Sequence, residues 1–208
     1  MFTVAVLDAN VLIPNALCDL LLLRLAEEEV YRPRWSAQIL NEVRRNLPGV
    51  PAPAVERRIA FMNAAFDTAM VIGYEHLISG MTNHVKDRHV LAAAVACDAD
   101  RIITCNLRDF PITSCEPHGV EPEHPDDFLL GVWEREPQLI MCVLLKQAAD
   151  TGRHGPRLTP AAVLDYLASA GARSFAEIVR PHLPKMDESA PAVTGGSSGV
   201  SRWRVGRG

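Results

Sequence analysis

Apolar residues along the chain form short strand-length runs that alternate with longer segments of helical periodicity. The runs at 3–7, 69–72 and 101–106 predict buried strands. Strands separated by helices predict parallel strands joined by crossover connections, and therefore a three-layer α/β sandwich with a short parallel sheet. Between the strands the pattern predicts helices at 15–29, 35–47, 55–66 and 87–99, with a short helical turn at 76–81.

The pattern changes after about residue 120, where the apolar positions follow helical periodicity alone. Residues 125–150 and 159–171 predict helices, the second with Thr159 as N-cap. In "SFAE", Ser174 and Glu177 have the spacing of a capping box. We therefore predict a helical extension over 126–185. The Gly/Ser-rich segment 186–208 is typical of a disordered tail.

Composition and charge limit the class of protein and the partners that can be expected. The chain is 48% hydrophobic and 22% charged, as expected of a soluble protein, and its net charge of −4 indicates no large nucleic-acid footprint, although a local basic rim would not alter that sum. Five cysteines without a C-x-x-C pair argue against a zinc site or a disulfide framework and favour a reducing, cytoplasmic setting. The apolar stretch "ALCDLLLLRLA" contains two charges and is too short to span a bilayer, so we expect no membrane segment.

Asp8 ends the first predicted strand, in "FTVAVLDANVLIP". A buried carboxylate is costly unless a partner compensates for its lost hydration. No lysine or arginine lies near Asp8 in the sequence. The partner of Asp8 is therefore expected to come from elsewhere in the fold or from a bound cation.

Three further acids are candidates to join Asp8, and each has a simpler alternative. Glu42 lies at the border of the apolar face of its helix, where an ordinary surface glutamate would also fit. Asp87 precedes Val90 and Leu91 by three and four residues and so shares their apolar face, although a helix N-cap would have the same sequence. Asp109 follows the third predicted strand, where a turn residue is equally consistent.

Strand direction predicts which acids meet. Ligands of open α/β sheets bind beyond the carboxyl ends of the strands, the edge at which Asp8 and Asp109 are expected. Asp98 and Asp100 precede the third predicted strand and are expected at the opposite edge. Clustered carboxylates repel one another unless a cation neutralises them. An all-oxygen site without Cys or His ligands suits Mg²⁺ or Mn²⁺.

Four segments resemble those of the PIN-domain ribonucleases: "VLDANVL", "SAQILNEVRRNL", "KDRHVLAAAV" and "RIITCNLRDF". The resemblance covers roughly residues 1–120 and implies a PIN-like metal-dependent nuclease domain over 1–125. It also implies Mg²⁺- or Mn²⁺-dependent endoribonuclease activity, with the metal bound by Asp8, Asp87 and Asp109 and with Glu42 as the fourth catalytic acid.

The last motif departs from a common form of the family. Asn106 stands at a position where many members have Asp, and the acid, Asp109, comes three residues later. Asn106 is therefore expected to support the loop or a metal-bound water, and whether it or Asp109 contacts the metal is left open. Asn10 is expected to support the site as well.

The family resemblance also implies partners. Many bacterial members are VapC-type toxins that a small antitoxin neutralises, and many form homodimers. Basic residues beside the acids are candidate contacts for the RNA backbone, although each is equally consistent with a solvated surface charge. They are Arg44, Arg45, Lys86, Arg88 and Arg108.

Three other function classes are alternatives to a toxin nuclease. A housekeeping RNA-processing nuclease would have the same active site as a toxin. A non-catalytic RNA-binding or interaction module would require that one of the acids be displaced. A phosphatase of the haloacid-dehalogenase type requires a second acid two residues after the first, and Asn10 occupies that position.

Overall fold

Five parallel strands form one sheet in the computed structural model, which describes residues 3–47, 49–151 and 157–184 except for the side chains of 21–23. The strand order across the sheet is β3-β2-β1-β4-β5. The parallel α/β architecture predicted from the alternation of strands and helices is confirmed, and the predicted tail at 186–208 lies outside the described residues. The strands are β1 (Val4–Leu7), β2 (Arg32–Ser36), β3 (Met70–Val71), β4 (Arg101–Ile103) and β5 (Glu121–Glu123).

The strand order reverses beside β1. The chain runs from β1 outward to β2 and β3, then returns to the other side of β1 to form β4 and β5. Val6 accordingly pairs with Arg34 on one side and with Ile102 on the other. Such a switch point leaves a crevice beyond the carboxyl ends of the two strands that flank it. Asp8 and Thr104 are the residues that immediately follow β1 and β4.

β2 is missing from the sequence-based prediction, because a central strand normally excludes proline. The N–H of Arg32 donates to the carbonyl of Thr3 beside β1 (2.8 Å), whereas that of Trp35 donates to the carbonyl of Ala69 beside β3 (3.0 Å). N–H groups alternate sides along a strand, so the nitrogen of Pro33 faces the β3 side. β3 begins to pair only at Trp35, and the proline therefore removes no hydrogen bond from the sheet.

β5 was missed for a similar reason, because its sequence is "EPE". The N–H of Glu121 donates to the carbonyl of Asp100 (2.9 Å), and the carbonyl of Glu123 accepts from the N–H of Thr104 (3.0 Å). The nitrogen of Pro122 therefore faces away from β4, toward the open side of this edge strand.

The helices follow the predicted segments with two main differences. The segment 15–29 begins as an α-helix and continues as a π-helix over Asp19–Ala26. The segment 125–150 is divided into two helices at Pro137, which cannot continue the ladder of the preceding helix. The α-helices are α1 (Ala9–Leu12), α2 (Asn15–Cys18), α3 (Ala37–Arg45), α4 (Ala52–Ala65), α5 (Arg88–Ala96), α6 (Ile112–Cys115), α7 (Pro125–Arg135), α8 (Pro137–Asp150), α9 (Pro160–Ser169) and α10 (Arg173–Val179).

The capping box predicted for Ser174 and Glu177 is wrong. The N–H groups of Ser174 and Phe175, at the start of α10, donate to the two carboxylate oxygens of Asp126 (3.0 and 2.8 Å). Glu177 instead pairs with Arg173 one turn earlier (3.1 Å). An acid on α7, distant in sequence, thus takes the capping role and is itself only 9% exposed.

The helical extension packs directly on the sheet domain. Phe128 of α7 meets Tyr31 edge to face, with ring centroids 5.1 Å apart. Gln147 of α8 donates to the carbonyl of Ala16 (3.2 Å), and Arg24 pairs with Asp150 (2.6 Å). These contacts are partly polar and join the extension to the segment 15–26.

The segment 15–26 is rich in leucine, a pattern that a dimerisation surface and a buried helix would share. Leu17, Leu20 and Leu25 are fully buried within the chain, so these three side chains serve the internal core. A homodimer through other surfaces stays a prediction. In the described part of the chain, none of the helices has the length and apolar character needed to cross a membrane.

Candidate active site and metal centre

Asp8 is held in a small hydrogen-bond network at the carboxyl end of β1. It is 4% exposed, and its Oδ1 accepts the N–H of Ala9 (2.6 Å). Its Oδ2 accepts from the side-chain nitrogen of Asn10 (2.6 Å) and from the hydroxyl of Thr104 (2.8 Å). Because these three donors surround the carboxylate, its orientation toward the crevice is fixed.

Asn10 and Thr104 join the ends of β1 and β4. The side-chain nitrogen of Asn10 also contacts the Thr104 hydroxyl (3.0 Å), and its Oδ1 accepts the N–H of Cys105 (3.0 Å). The Thr104 hydroxyl in turn accepts the N–H of Asn106 (3.0 Å). Asn10 therefore links Asp8 to the residues that follow β4, and Thr104 takes part in this network although it was not among the predicted site residues.

The other three acids come from three separate elements. Glu42, on α3, is 24% exposed and its Oε1 lies 3.0 Å from Nε2 of His89. Asp87 occupies the N-cap position of α5, as the simpler interpretation expects, but its side chain makes no capping hydrogen bond. Asp109 lies in the short 3₁₀ turn after β4, where it accepts a hydrogen bond from the side chain of Asn106.

A compact group of possible metal ligands lies around Asp87. One ligand atom from each of His84, Asp87 and Asp109 lies within 4.8 Å of the others, and exposed acids form such groups without an ion as well. Nδ1 of His84 is 3.5 Å from Oδ2 of Asp87, and the N–H of His84 donates to the carbonyl of Asp109 (3.1 Å). Asp8 stands outside this group, and His84 is a ligand candidate that the sequence analysis did not include.

Electrostatic coupling joins all four acids. Burial raises the pKa of Asp8 to about 6, and the charges of Asp87 and Glu42 add to the increase, while the hydrogen bonds from Thr104 and Ala9 lower it. Burial also raises the pKa of Asp87, and the next contributions come from the charges of Asp109 and Glu42. We refer to Asp8, Glu42, Asp87 and Asp109 as the four-acid site.

The donor set of the four-acid site fits a divalent cation. Among the described residues no lysine or arginine forms an ion pair with Asp8 or Asp87, and Nε of Arg108 lies 3.9 Å from Asp109 on a side chain that is 87% exposed. Carboxylates that raise one another's pKa and lack a protein cation are stabilised by a bound metal. Among the described residues, Asp87, Asp109 and His84 are the ones whose ligand atoms lie close enough together to share an ion.

The predicted RNA-binding residues differ in what they contact. Arg44 pairs with Glu56 on α4 (2.7 Å) and is thus engaged away from the acids. Arg45 donates to the carbonyl of Asn41 (3.2 Å) and Arg88 to that of Asn83 (3.4 Å). Arg108 donates to Oδ1 of Asn106 (3.0 Å) beside the site, and Lys86 is exposed.

Two other features of the structure lie apart from the four-acid site. Asp100 accepts the N–H of Val4 at the start of β1 (2.7 Å), which places it at the opposite edge of the sheet as predicted. A cavity of about 810 Å³ opens between α2, α4, α8 and α9, and none of the four acids lines it. The four acids are therefore separate from this cavity.

The sequence contains signals for three residues of the site that were not predicted, namely His84, His89 and Thr104. Thr104 is the one hydroxyl residue in the apolar run "RIITC", directly after β4. The two histidines flank Asp87 at positions −3 and +2. A polar residue at a strand end and two histidines beside a candidate ligand are signals that a search restricted to acids leaves out.

Comparison with known proteins agrees with this architecture. A family model described as "PIN domain" matches residues 4–108, and a second, described as "VapC50 C-terminal domain", matches residues 125–181. The chain is 41% identical over 103 residues to a Mycobacterium tuberculosis protein named "Putative ribonuclease VapC50". That alignment covers 48% of this chain and 58% of the relative, so this chain matches little more than half of the relative's length. No solved structure matches the chain.

The PIN-domain match extends from β1 to the turn after β4 and includes Asp8, Glu42 and Asp87, while Asp109 follows its last residue directly. The second match covers the helical extension from α7 to the end of α10. Since the first of these models accounts for half of the sequence, the chain belongs to the PIN-domain family.

Proposed function

We propose that this chain is a Mg²⁺- or Mn²⁺-dependent endoribonuclease that hydrolyses RNA phosphodiester bonds. The observation that carries the proposal is the convergence of four acids, from four separate elements, on the crevice at the switch point of the sheet. Two of them, Asp8 and Asp87, have a raised pKa and no lysine or arginine partner in the described part of the chain. The similarity to a protein named as a ribonuclease agrees with this chemistry.

Each residue has a proposed role. Asp8, Asp87 and Asp109 hold the ion, and His84 offers an additional nitrogen beside Asp87. A bound divalent ion supplies positive charge that stabilises the phosphate in the transition state and lowers the pKa of a nearby water. Oε2 of Glu42 forms no hydrogen bond with the described residues, so this atom is free to accept a proton from the attacking water.

The supporting residues keep these groups in place. Thr104 and Asn10 hold Asp8, and the side-chain nitrogen of Asn106 orients Asp109. Arg108 and Lys86, both exposed beside the acids, are the proposed contacts for the RNA backbone. Arg44 is the weakest of the predicted contacts, because its guanidinium is already paired with Glu56.

We further propose that the nuclease is the toxin of a VapBC-type pair with a small antitoxin as its partner. This finer proposal rests on the similarity to VapC50 in both the PIN domain and the helical extension. Expression of the chain in a bacterial host is expected to arrest growth, and Asp8→Asn is expected to abolish the arrest. Co-expression of a small protein encoded beside this gene is expected to restore growth of cells with the active toxin. Normal growth of cells that contain active nuclease would favour an RNA-processing role.

The nuclease activity itself is tested with purified protein and total RNA. Cleavage is expected with Mg²⁺ or Mn²⁺, and both EDTA and the Asp8→Asn substitution are expected to abolish it. Asp100→Asn is the matched control, because it changes an acid at the opposite edge and should cut at the wild-type rate. Equal cutting by wild type and Asp8→Asn would indicate a contaminating nuclease and remove the support for the proposal.

A further inference from the structure

His89 is a buried histidine whose contact with the four-acid site is not explained by the roles above. It lies in the first turn of α5, is 2% exposed, and its Nε2 is 3.0 Å from Oε1 of Glu42. Glu42 lies on α3, so this single contact joins two helices at the border of the site. A core histidine without function would be expected to satisfy both of its ring nitrogens.

The two ring nitrogens of His89 are in different situations. A carboxylate accepts hydrogen bonds, so Nε2 must carry the hydrogen that is shared with Glu42. Nδ1 is buried and has no hydrogen-bond partner among the described residues. A second N–H at Nδ1 would be a buried donor without an acceptor, which is more costly than an unused acceptor in a neutral ring. His89 therefore makes one hydrogen bond, from Nε2 to Oε1 of Glu42, while Nδ1 makes none with the described residues.

A hydrogen-bond donor beside Glu42 has a clear use in the four-acid site. The charge of Glu42 raises the pKa of both Asp8 and Asp87, so the three carboxylates repel one another. The hydrogen bond from His89 holds Oε1 of Glu42 against this repulsion and leaves Oε2 without a partner among the described residues.

We propose that His89 is a positioning residue, which holds Oε1 of Glu42 and thereby directs Oε2 toward the reacting water. This inference rests on the proposed nuclease function. Because His89 touches Glu42 and not the substrate, its loss should lower kcat while the KM for RNA stays nearly constant. Small displacements of a catalytic group are known to lower rates by about one to two orders of magnitude.

The test compares His89→Leu with His89→Gln, since a glutamine amide can donate to Glu42 and leucine cannot. His89→Leu is expected to lower kcat about tenfold or more, and His89→Gln is expected to restore most of that loss. His118→Leu, at an exposed histidine, is the matched control and should leave kcat unchanged. In a Glu42→Ala background, His89→Leu should cause no further loss.

A second measurement does not depend on activity. In ¹⁵N-histidine NMR spectra of the folded full chain, His89 is expected in the Nε2–H tautomer, and Glu42→Ala is expected to shift its Nε2 signal. Wild-type kcat in His89→Leu, or equal losses in His89→Leu and His89→Gln, would overturn the positioning role while the nuclease function stands. If the wild type cuts no RNA, the proposed function fails, whereas the NMR spectra still decide whether His89 holds Glu42. A Glu42→Ala spectrum identical to that of the wild type would exclude the contact.

Discussion

Two groups of acids in the same sheet have opposite surroundings. Around Arg101, Glu123 forms a close ion pair and Glu121 a longer one of 3.6 Å, so a protein cation compensates for both. In the four-acid site the larger contributions from charges near Asp87 come from Asp109 and Glu42 and raise its pKa, whereas the smaller contribution of His84 lowers it. Burial raises the pKa of Glu123 as it does that of Asp87, but for Glu123 the next contributions come from Arg101 and lower it.

The charges nearest to an acid, more than its burial, distinguish a structural role from a functional one. Where a protein cation is present, the ion pair is complete and needs no ligand. Where the neighbours are other carboxylates, the site has a net negative charge that only an added cation can compensate. Four experiments test this distinction between structural and functional acids.

Removing one charge from the four-acid site should have the largest effect. Asp87→Asn is expected to lower the initial rate of RNA cleavage at least about a hundredfold, because an amide is a poor replacement for an anionic metal ligand. Glu121→Gln, which removes an acid from the group around Arg101, should leave the rate within about twofold of the wild type. Comparable losses in the two variants, measured on one labelled RNA with Mn²⁺, would contradict the distinction.

The second experiment measures how much the uncompensated charge of Asp8 lowers the free energy of unfolding. The pKa of Asp8 is about 6 in the folded chain against an ordinary value of 3.8, so the folded state holds the proton more tightly than the unfolded state. The contribution of Asp8 to stability is therefore present at about pH 4 and is lost as the pH rises through 6. Without metal, the full loss corresponds to about 3 kcal/mol, of which about 2 kcal/mol falls between pH 4.5 and pH 7.

The measurement is the free energy of unfolding from urea titrations at pH 4.5 and pH 7, in EDTA. Asp8→Asn should show a smaller decrease over this interval than the wild type, and Mn²⁺ should restore stability to the wild type at pH 7. Parallel pH profiles for the two proteins would mean that Asp8 is not the group responsible.

Asp126 provides a third kind of acid, one compensated by N–H groups. Asp126→Ala leaves the N–H groups of Ser174 and Phe175 without their acceptor and should lower the free energy of unfolding by about 2 kcal/mol. Asp127→Ala, at the exposed neighbouring position, should change it by about 0.5 kcal/mol or less. Nuclease activity per folded molecule should be unchanged in both. Equal stability of the two variants would show that the capping contact contributes nothing.

The smallest effect is expected for the outer ion pair of Arg101. Glu121 is 65% exposed and its carboxylate lies 3.6 Å from the guanidinium, so solvent screens most of the attraction. Glu121→Gln should change the free energy of unfolding by about 0.5 kcal/mol or less, as measured by the same urea titration. A decrease in the free energy of unfolding above about 1 kcal/mol would show that this pair is stronger than an ordinary surface ion pair. The acids around Arg101 would then be a poorer reference for the four-acid site.

The fold could be predicted from sequence where apolar runs were long enough to indicate an element. β1 and β4 are apolar and were found, whereas β2 and β5 contain Pro33 and Pro122 and were missed. In both strands the proline nitrogen faces a position at which no neighbouring strand pairs, and this depends on the length and position of the neighbouring strands. No local pattern within the strand itself carries that information.

The candidate site was predicted in part for the same reason. Strand direction alone brings Asp8 and Asp109 to one edge and Asp100 to the other, and the structure agrees. The contacts of His84 and His89 depend instead on how α5 and its preceding turn pack against α3 and the loop after β4. The cap supplied by Asp126 likewise crosses 48 residues of sequence, so Ser174 was the natural but incorrect local choice.

The orientation of Pro122 also limits how this chain can assemble. An exposed edge strand normally offers a row of N–H donors on which another strand can add, and this row is a common route to aggregation. On the outer side of β5 the central residue has no N–H to offer, and Glu121 adds an exposed negative charge there. Joining of two sheets through β5 is therefore disfavoured, which leaves β3 as the edge of this sheet that could accept a further strand.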